Sequence, residues 1–508
     1  MNRKNAGVET LHPEYIQNYP IWEQVDDCLG GSLRVKERTT TYLPNPEGSK
    51  EYEQFNANPD WDEELSSYYS RLHYRNMRLL DARYNAYIMR AMFYNFTRRT
   101  LSGLVGAVFR KEPEIELDPA IEQLLTDVDG NGTTLTQQAK STYGQVMAKG
   151  RAGLLVDLPI NSDSVSRDDV ASGRVFPRII PYRAQDITNW KTQRIGAKTV
   201  LTMVTLKEYI DSGDIFSHDS ECQYRVLMLD ENGNYVQRVY QEGAKDEYLE
   251  FPVILNGSPV KEILFYFAGS EENDFTVDGA PMYDLSCVNI AHYRNSADNE
   301  ESSFLCGQPT LVVSPSEMFG DARQWNEANP NGVTLGSRQG LNVGAGGSAS
   351  LLQASENNLA KQNMRDKEEQ AVAIGADLIT PTSQETAEAA RIKKAADTSV
   401  AASCANNVST AYTKALNACS MVLGSTRENL FTLNTDFFLS MMTAQDRAQW
   451  AADVNMGLLP KETYYAAMRR SGLIDETDEE LADGLEANEF GVVKRSTNNP
   501  TWLIPPVI

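Results

Sequence analysis

Apolar residues recur at steps of three or four from Ala389 through Ile392, Ala396, Val400, Cys404, Val408, Ala411, Ala415 and Cys419 to Val422, one continuous stripe along a helical face. Thr382 and Glu385 have the spacing of a capping box, and Pro381 stands just before it. The pattern predicts one helix from Glu385 to Leu423, roughly 58 Å long at about 1.5 Å per residue. Eleven of its 39 residues are alanine, which favours helix and lets neighbouring backbones approach closely. Such a helix suits either a spoke packed between subunits or a long core helix in a large α-rich protein.

Elsewhere the period changes several times. Residues 1–70 are polar with scattered aromatics and read as irregular. A helical pattern starts near Glu63, passes Tyr84, Ile88, Met92 and Phe96, and continues through Thr97–Pro113, where Arg98, Arg99, Arg110 and Lys111 read as a solvated helix end. Gly150–Pro159 is a short buried strand. Alternating runs from Val200, Gln223, Tyr235 and Glu262 read as strands, with Glu231–Asn234 closing a hairpin. The first half is therefore helices followed by an antiparallel sheet. Asp284–Cys306 reads as a helix, Pro309–Val313 as a strand, residues around Phe319–Trp325 as a short helix, Gly332–Gln353 as glycine-rich strands, and Ser355–Ala376 as a charged helix. Glu428–Phe438 reads as a strand pair or hairpin, and Met442–Ile474 as short helices joined at Gly457 and Gly472. The fold class is α+β.

Composition narrows the chemistry. The 508 residues carry 47 basic and 70 acidic side chains, a net charge of −23, which argues against a broad basic face gripping nucleic acid but suits a wall that DNA slides past. No apolar run approaches a membrane span, and no signal peptide is visible, so a soluble chain made in the cytoplasm is expected. The six cysteines form no CxxC pair and read as reduced, mostly buried side chains. Asp127, Asp129, Asn131 and Gly132 imitate a calcium loop, but Gln138 stands where the bidentate glutamate belongs, and a turn before a helix capped by Thr133 or Thr134 is the better reading. Gly344, Gly346 and Ala349 match GxGxxA without the strand-then-helix context a dinucleotide site needs. His292 lacks ligand neighbours at metal spacing and reads as packed or solvent-facing. GxxxxGK[ST], GxSxG and HExxH are all missing, so no enzyme activity, cofactor or metal is expected. Asp475–Glu489 holds eight acidic residues and no basic one, a solvated face or a dock for a basic partner.

Four runs carry a resemblance: RTLSGLVGAVFRKEP, GRAGLLVDLP, AHYRNSADNEESSFLCGQPTLVV and GADLITPTSQETAEAARIKKAADTS, in that order and with the charged helix between the last two. From about residue 70 to 470 the chain resembles the portal proteins, or head-to-tail connectors, of tailed bacteriophages, in particular a subgroup catalogued as a phage-associated domain of unknown function. The resemblance implies a homo-oligomeric ring, usually of twelve subunits, at one capsid vertex of the virion, assembled in the host cytoplasm. Double-stranded DNA would pass through its channel during packaging and ejection. Its partners would be the terminase large subunit, a neck or tail adaptor, and the major capsid and scaffolding proteins, with no membrane.

The resemblance also divides the chain: 71–280 a wing, 281–307 a first stem helix, 308–353 a clip, 354–376 a second stem helix, 377–384 a tunnel loop, 385–440 a long wing helix and hairpin, and 441–508 a crown and acidic tail. The tunnel loop, Asp377, Leu378, Ile379, Thr380, Pro381, Thr382, Ser383 and Gln384, would lie nearest DNA. Phe319, Trp325 and Arg338 of the clip are candidates for terminase or adaptor contact. Lys361, Arg365, Lys367, Arg391, Lys393 and Lys394 are candidates to face the channel, or else to pair with acids such as Glu356, Asp366, Glu368 and Glu369 in the same helix or a neighbour. A head or adaptor protein without a channel is the alternative.

Overall fold

The computed structural model describes residues 7–45, 82–158, 176–307, 310–314, 346–352, 358–378, 399–435 and 444–470, leaving out 212, 214–215, 244–246, 256–257 and 459, and adds the isolated positions 327, 343 and 437. These residues form an α+β protein divided into two units, Met1–Thr435 and Asp436–Ile508.

Residues 7–45, the described part of the N-terminal stretch expected to be irregular, are largely helical. Pro13–Gly30 is a helix, α1, and Ser32–Glu37 a second, α2. Pro13 supplies a preset φ at the first turn, His12 Nδ1 accepts from the Glu14 amide, and Tyr15, Trp22, Val25 and Cys28 bury one face. Trp22 Nε1 donates to the Lys149 carbonyl at 2.9 Å, and Lys149, itself buried, reaches Asp26 at 2.9 Å. The helix expected to run from Glu63 past Phe96 is also interrupted. Residues 82–90 are helical (α3), 91–95 are not, and Phe96–Val108 (α4) starts afresh with Asn95 as its cap. Ser296 accepts from the Met92 amide and Asn289 donates to the Tyr94 carbonyl, so tertiary bonds replace helical ones across the break. Arg98, Arg99, Arg110 and Lys111 are exposed.

Leu135–Lys149 (α5) begins with the Thr134–Gln137 capping box. The calcium-like loop before it is an Asx turn, in which Asp127 Oδ1 accepts from the Gly130 and Gly132 amides and Asp129 Oδ1 from Asn131. At the other end Gly150 is left-handed (φ +74°), and a Cβ there would meet the Gly279 carbonyl oxygen at 2.4 Å. Gly150→Ala is expected to cost about 1 to 3 kcal/mol, read as a lower urea midpoint. An unchanged midpoint would mean the 278–279 backbone gives way.

Two sheets follow. After β1 (Glu114–Glu116), strands β2 (Arg151–Asp157), β3 (Arg178–Arg183) and β11 (Phe265–Gly269) form a three-stranded antiparallel sheet in the order β11-β2-β3. Strands β4 (Ile187–Ile195), β5 (Lys198–Asp211), β6 (Ser220–Leu229), β7 (Tyr235–Gln241) and β8 (Tyr248–Pro252) form a five-stranded antiparallel meander, and the short β9 (Ile254–Leu255) and β10 (Ser258–Pro259) pair with each other after it. The β6–β7 hairpin turns at the predicted residues, with Asp230 Oδ1 accepting from Asn232 and Asn234. Register places Glu208 and Arg225 on the same face of the larger sheet as Gln223 and Gln237. Arg225 Nε lies 2.8 Å from Glu208 Oε1, and its Nη1 lies 3.2 Å from Asp157 Oδ1 and 3.4 Å from Gln237 Oε1. Tyr182 and Gln223 donate to Glu208 as well, so this ionic cluster joins the two sheets. Burial pushes the Asp157 carboxyl above its ordinary value, with Arg225 opposing.

The long-helix prediction needs a correction. Ser399 is extended (φ −63°, ψ 156°) and caps a helix, α8, that spans Val400–Val422. No helix therefore runs unbroken from Glu385, and residues 385–398 lie outside the described residues. The half that is described behaves as the stripe predicts: Cys404, Val408, Ala411, Ala415 and Cys419 are buried, and α8 packs on β11, β2 and α5. Tyr412 donates to Gln138 Oε1 at 3.1 Å and meets Thr142 Oγ1 at 2.9 Å inside that core. Of the strand pair or hairpin expected at 428–438, the described residues hold one strand, β14 (Leu430–Thr432), which pairs with β1 more than three hundred residues earlier. In the second unit, Ala444–Asn455 (α9) and Lys461–Arg470 (α10) are the described helices. Among the described residues no helix is long and apolar enough to cross a membrane. Asp475–Glu489 lies outside them.

Candidate functional site

Between the two sheets and α8 in sequence stands a pair of antiparallel helices. Tyr283–Cys306 (α6) leads into β12 (Thr310–Ser314), which pairs antiparallel with β13 (Ser348–Leu352), and Leu359–Asp377 (α7) returns alongside α6. Leu285, Ile290, Tyr293 and Ala297 hold α6 against the rest of the unit, and Gln24 donates to Ser286 Oγ at 2.9 Å. Cys28, Val35, Tyr42, Leu43, Tyr87 and Ala91 complete the core on that side of α6. Asp298 accepts from the Tyr87 hydroxyl, and Glu301 pairs with Arg90.

The other side of α6 meets α7 at His292. This imidazole is wholly buried, with the Tyr94 and Phe96 rings edge-on at 5.3 and 5.0 Å and Glu368 Oε1 at 3.4 Å from Nε2; Nδ1 has no hydrogen-bond partner. It is packed, one of the two readings expected from sequence, and among the described residues no group of three or more His, Cys, Asp or Glu side chains could hold a metal. Burial holds its pKa below the ordinary value, and Glu368 opposes this less strongly. A histidine whose folded pKa is depressed contributes fully above the unfolded value of about 6.5 and loses that contribution as pH falls through the lower folded value. Acidification from about pH 7.5 to about pH 5.5 is expected to lower the melting temperature more in the wild type than in His292→Gln. Equal losses would show that His292 takes no part.

α7 is packed on one side only. Of its described side chains just Ala371 is buried, and Lys361, Arg365, Asp366, Glu368, Glu369, Gln370 and Val372 are exposed. Its last turn is tucked close to α4, where a Cβ on Gly375 would meet Thr100 Cγ2 at 3.3 Å. Lys367 donates to Gln370 Oε1 at 3.1 Å, and among the described residues Lys361 and Arg365 form no ion pair within the chain. The pairing with Asp366, Glu368 or Glu369 weighed from sequence is therefore not made inside this helix.

Two residues of the expected tunnel loop are described, and both belong to folded structure. Asp377 ends α7, and Leu378 is a buried turn residue whose carbonyl accepts from the Ala401 amide at 3.2 Å. That bond brings the end of α7 to the start of α8, so the chain leaves one point and returns to it. Ile379, Thr380, Pro381, Thr382, Ser383 and Gln384 lie outside the described residues, as do Arg391, Lys393, Lys394, Phe319, Trp325 and Arg338. In the GxGxxA stretch Ala349 sits in β13 opposite Val313, with no helix opening after the glycines, which rules out a dinucleotide turn there. Cys28, Cys222, Cys404 and Cys419 are buried and free, while Cys287 is exposed.

A family model described as a domain of unknown function (DUF4055) matches residues 281–421, from just before α6 to the last turn of α8. Comparison with curated proteins gives no match. Among solved structures the chain is similar to one in the virion of the native gene transfer agent (GTA) particle, with 14% identity and a TM-score of 0.40 over 75% of this chain and 91% of that one. It is similar also to a chain in the neck of the empty GTA particle computed with C6 symmetry (15% identity, TM-score 0.40, 74% and 90% covered). A third, in the neck of the native GTA particle computed with C12 symmetry, shares 14% identity at a TM-score of 0.41, with 75% and 91% covered.

Proposed function

We propose that this chain is a portal subunit that closes, with about eleven further copies, into a ring at a capsid vertex. In this reading α6 and α7 are the stem, the β12–β13 hairpin is the base of the clip that meets the terminase and later the neck or tail adaptor, and the tunnel loop expected at 377–384 is the part nearest double-stranded DNA in the channel. The observation that carries the reading is the lopsided burial of α7. A helix polar around most of its circumference and packed on one side gains little stability from its own chain, and a neighbouring subunit is what such a helix needs. The order of parts supports the same assignment: two helices around a hairpin, then an excursion whose ends meet at Leu378 and Ala401, then an alanine-rich helix that lets backbones pack closely.

Native mass spectrometry with negative-stain class averages tests it. A closed ring of about twelve copies with a hole wide enough for duplex DNA is the expected result. A small oligomer with no hole would favour the alternative, a head or adaptor protein without a channel.

A further inference from the structure

We infer that the β4–β5 hairpin is an arm that contacts the phosphates of duplex DNA through Lys191, Arg194 and Lys198. The inference goes beyond the proposed function, since it assigns a DNA contact to the five-stranded sheet and needs no closed ring.

The register of the sheet defines the arm. Strand β6 accompanies β5 only from Met203 onward, whereas β4 stays paired with β5 out to Ile195 and Lys198. The pairs Thr192 with Leu201, Gln193 with Val200, Arg194 with Thr199 and Ile195 with Lys198 therefore make a two-stranded ribbon that runs past its neighbour β6. Every residue from 191 to 199 is exposed, so neither face of the ribbon is covered. Gly196, left-handed at φ +63°, closes the turn at its tip. A bare two-stranded ribbon adds little stability to its own chain, and contact with a partner is what it can supply.

Charge and spacing select that partner. Between Ile187 and Lys207 there is no acidic residue, although the chain carries 70 acids against 47 bases. Lys191, Arg194 and Lys198 form no ion pair with any described residue, and Arg194 Nε donates to the Gly196 carbonyl at 3.3 Å. The register shift beside Lys191 puts its extra residue, Thr202, on β5, so β4 alternates regularly and Lys191, Gln193 and Ile195 share a face. Lys198, paired with Ile195, is on that face too. Four strand residues at about 3.4 Å each set the two lysines about 14 Å apart. The major groove is about 12 Å wide and admits a two-stranded ribbon, so lysines at this spacing reach the backbones on its two sides. Ile195, 56% exposed on the same face, meets the groove floor, where thymine methyl groups offer apolar contact.

An acidic protein surface is the competing occupant. It is disfavoured because carboxylates on a protein have no repeat that answers to both the width of the ribbon and the spacing of its lysines. The net charge of −23 keeps DNA off the remaining surface, so the contact stays local to the arm.

Fluorescence anisotropy of the full chain with a labelled mixed-sequence duplex of about 30 base pairs, over a salt series, tests the inference. Lys191→Gln/Arg194→Gln/Lys198→Gln should bind roughly tenfold more weakly at about 100 mM salt, and its slope of log affinity against log salt should shrink by about 2 to 3, one phosphate for each cation removed. Lys111→Gln/Lys140→Gln/Lys414→Gln takes the same charge from exposed lysines elsewhere and should leave the slope unchanged. Both variants change exposed side chains, and melting temperatures equal to that of the wild type check that they fold. A wild-type chain that leaves the duplex unbound at about 50 mM salt overturns the inference, as do equal losses in the two variants, which would leave net charge alone as the cause. Unchanged DNA affinity in the arm variant, with smaller oligomers in native mass spectra, overturns it in favour of an acidic protein surface. Unchanged affinity with aggregation overturns it by making the three cations guards of unpaired strand edges. None of these results touches the ring reading, whose test is the count of copies.

Discussion

Arg225→Met is expected to destabilise the first unit by about 3 to 5 kcal/mol, because it strands two carboxylates that pair with that guanidinium. Arg225, Glu208 and Asp157 have side-chain exposures of 16%, 14% and 20%, so water can compensate in part, and Asp157, already raised in pKa by burial, can take up a proton. Neither response reaches Glu208 fully, since Tyr182 and Gln223 donate to it in positions fixed by the sheets. The urea midpoint of the full chain, measured at neutral pH, is the readout. A second variant with Glu208→Gln added should recover part of the loss, since it removes one stranded charge. A loss below about 1 kcal/mol in the single variant would mean that the two sheets are held by their apolar contacts alone.

Replacing residues 379–398 with a short Gly-Ser linker is expected to leave folding and ring closure intact while abolishing the retention of packaged DNA. The Leu378–Ala401 hydrogen bond is the reason to expect folding: the ends already meet, and shortening the segment between them lowers the closure entropy by about 1 kcal/mol. The excision starts after Leu378, because removing Asp377 and Leu378 with it would take the last residue of α7 and a buried side chain. Nuclease-protected DNA per particle is the measurement. Full protection with normal rings would exclude this segment from DNA handling, and a melting temperature lowered by many degrees would show it to be part of the fold.

Local pattern located much of this structure. The helix expected at Asp284–Cys306 is Tyr283–Cys306, the strand expected from Tyr235 is Tyr235–Gln241, and the turn between β6 and β7 falls where Asn and Gly favour one. Failures have identifiable causes. α1 carries its apolar face at Tyr15, Trp22, Val25 and Cys28, a helical spacing, but Pro20 interrupts it and polar residues fill the intervals, so the stretch reads as irregular. His12 followed by Pro13 was the available signal. The break at Ser399 is hidden by alanine on both sides. Asp397, Thr398 and Ser399 are all good caps, yet position 402 is alanine and no capping box marks the start. The pairing of β14 with β1 and the Arg225 cluster depend on partners far apart in sequence, which no local period encodes. At the candidate site the two helices and the paired strands β12 and β13 were legible. One-sided burial of α7 was not, because it concerns what a helix lacks.

The docking of α1 sets a timetable for synthesis. Gln24 bonds to Ser286, 262 residues further on, and Cys28 and Val35 share a core with Ile290 and Tyr293 of α6. At about 5 to 20 residues per second, the ribosome delivers that partner roughly 15 to 50 s after α1 emerges. During this interval the part of α1 that packs on α6 is uncovered. That core closes only once α6 has been made.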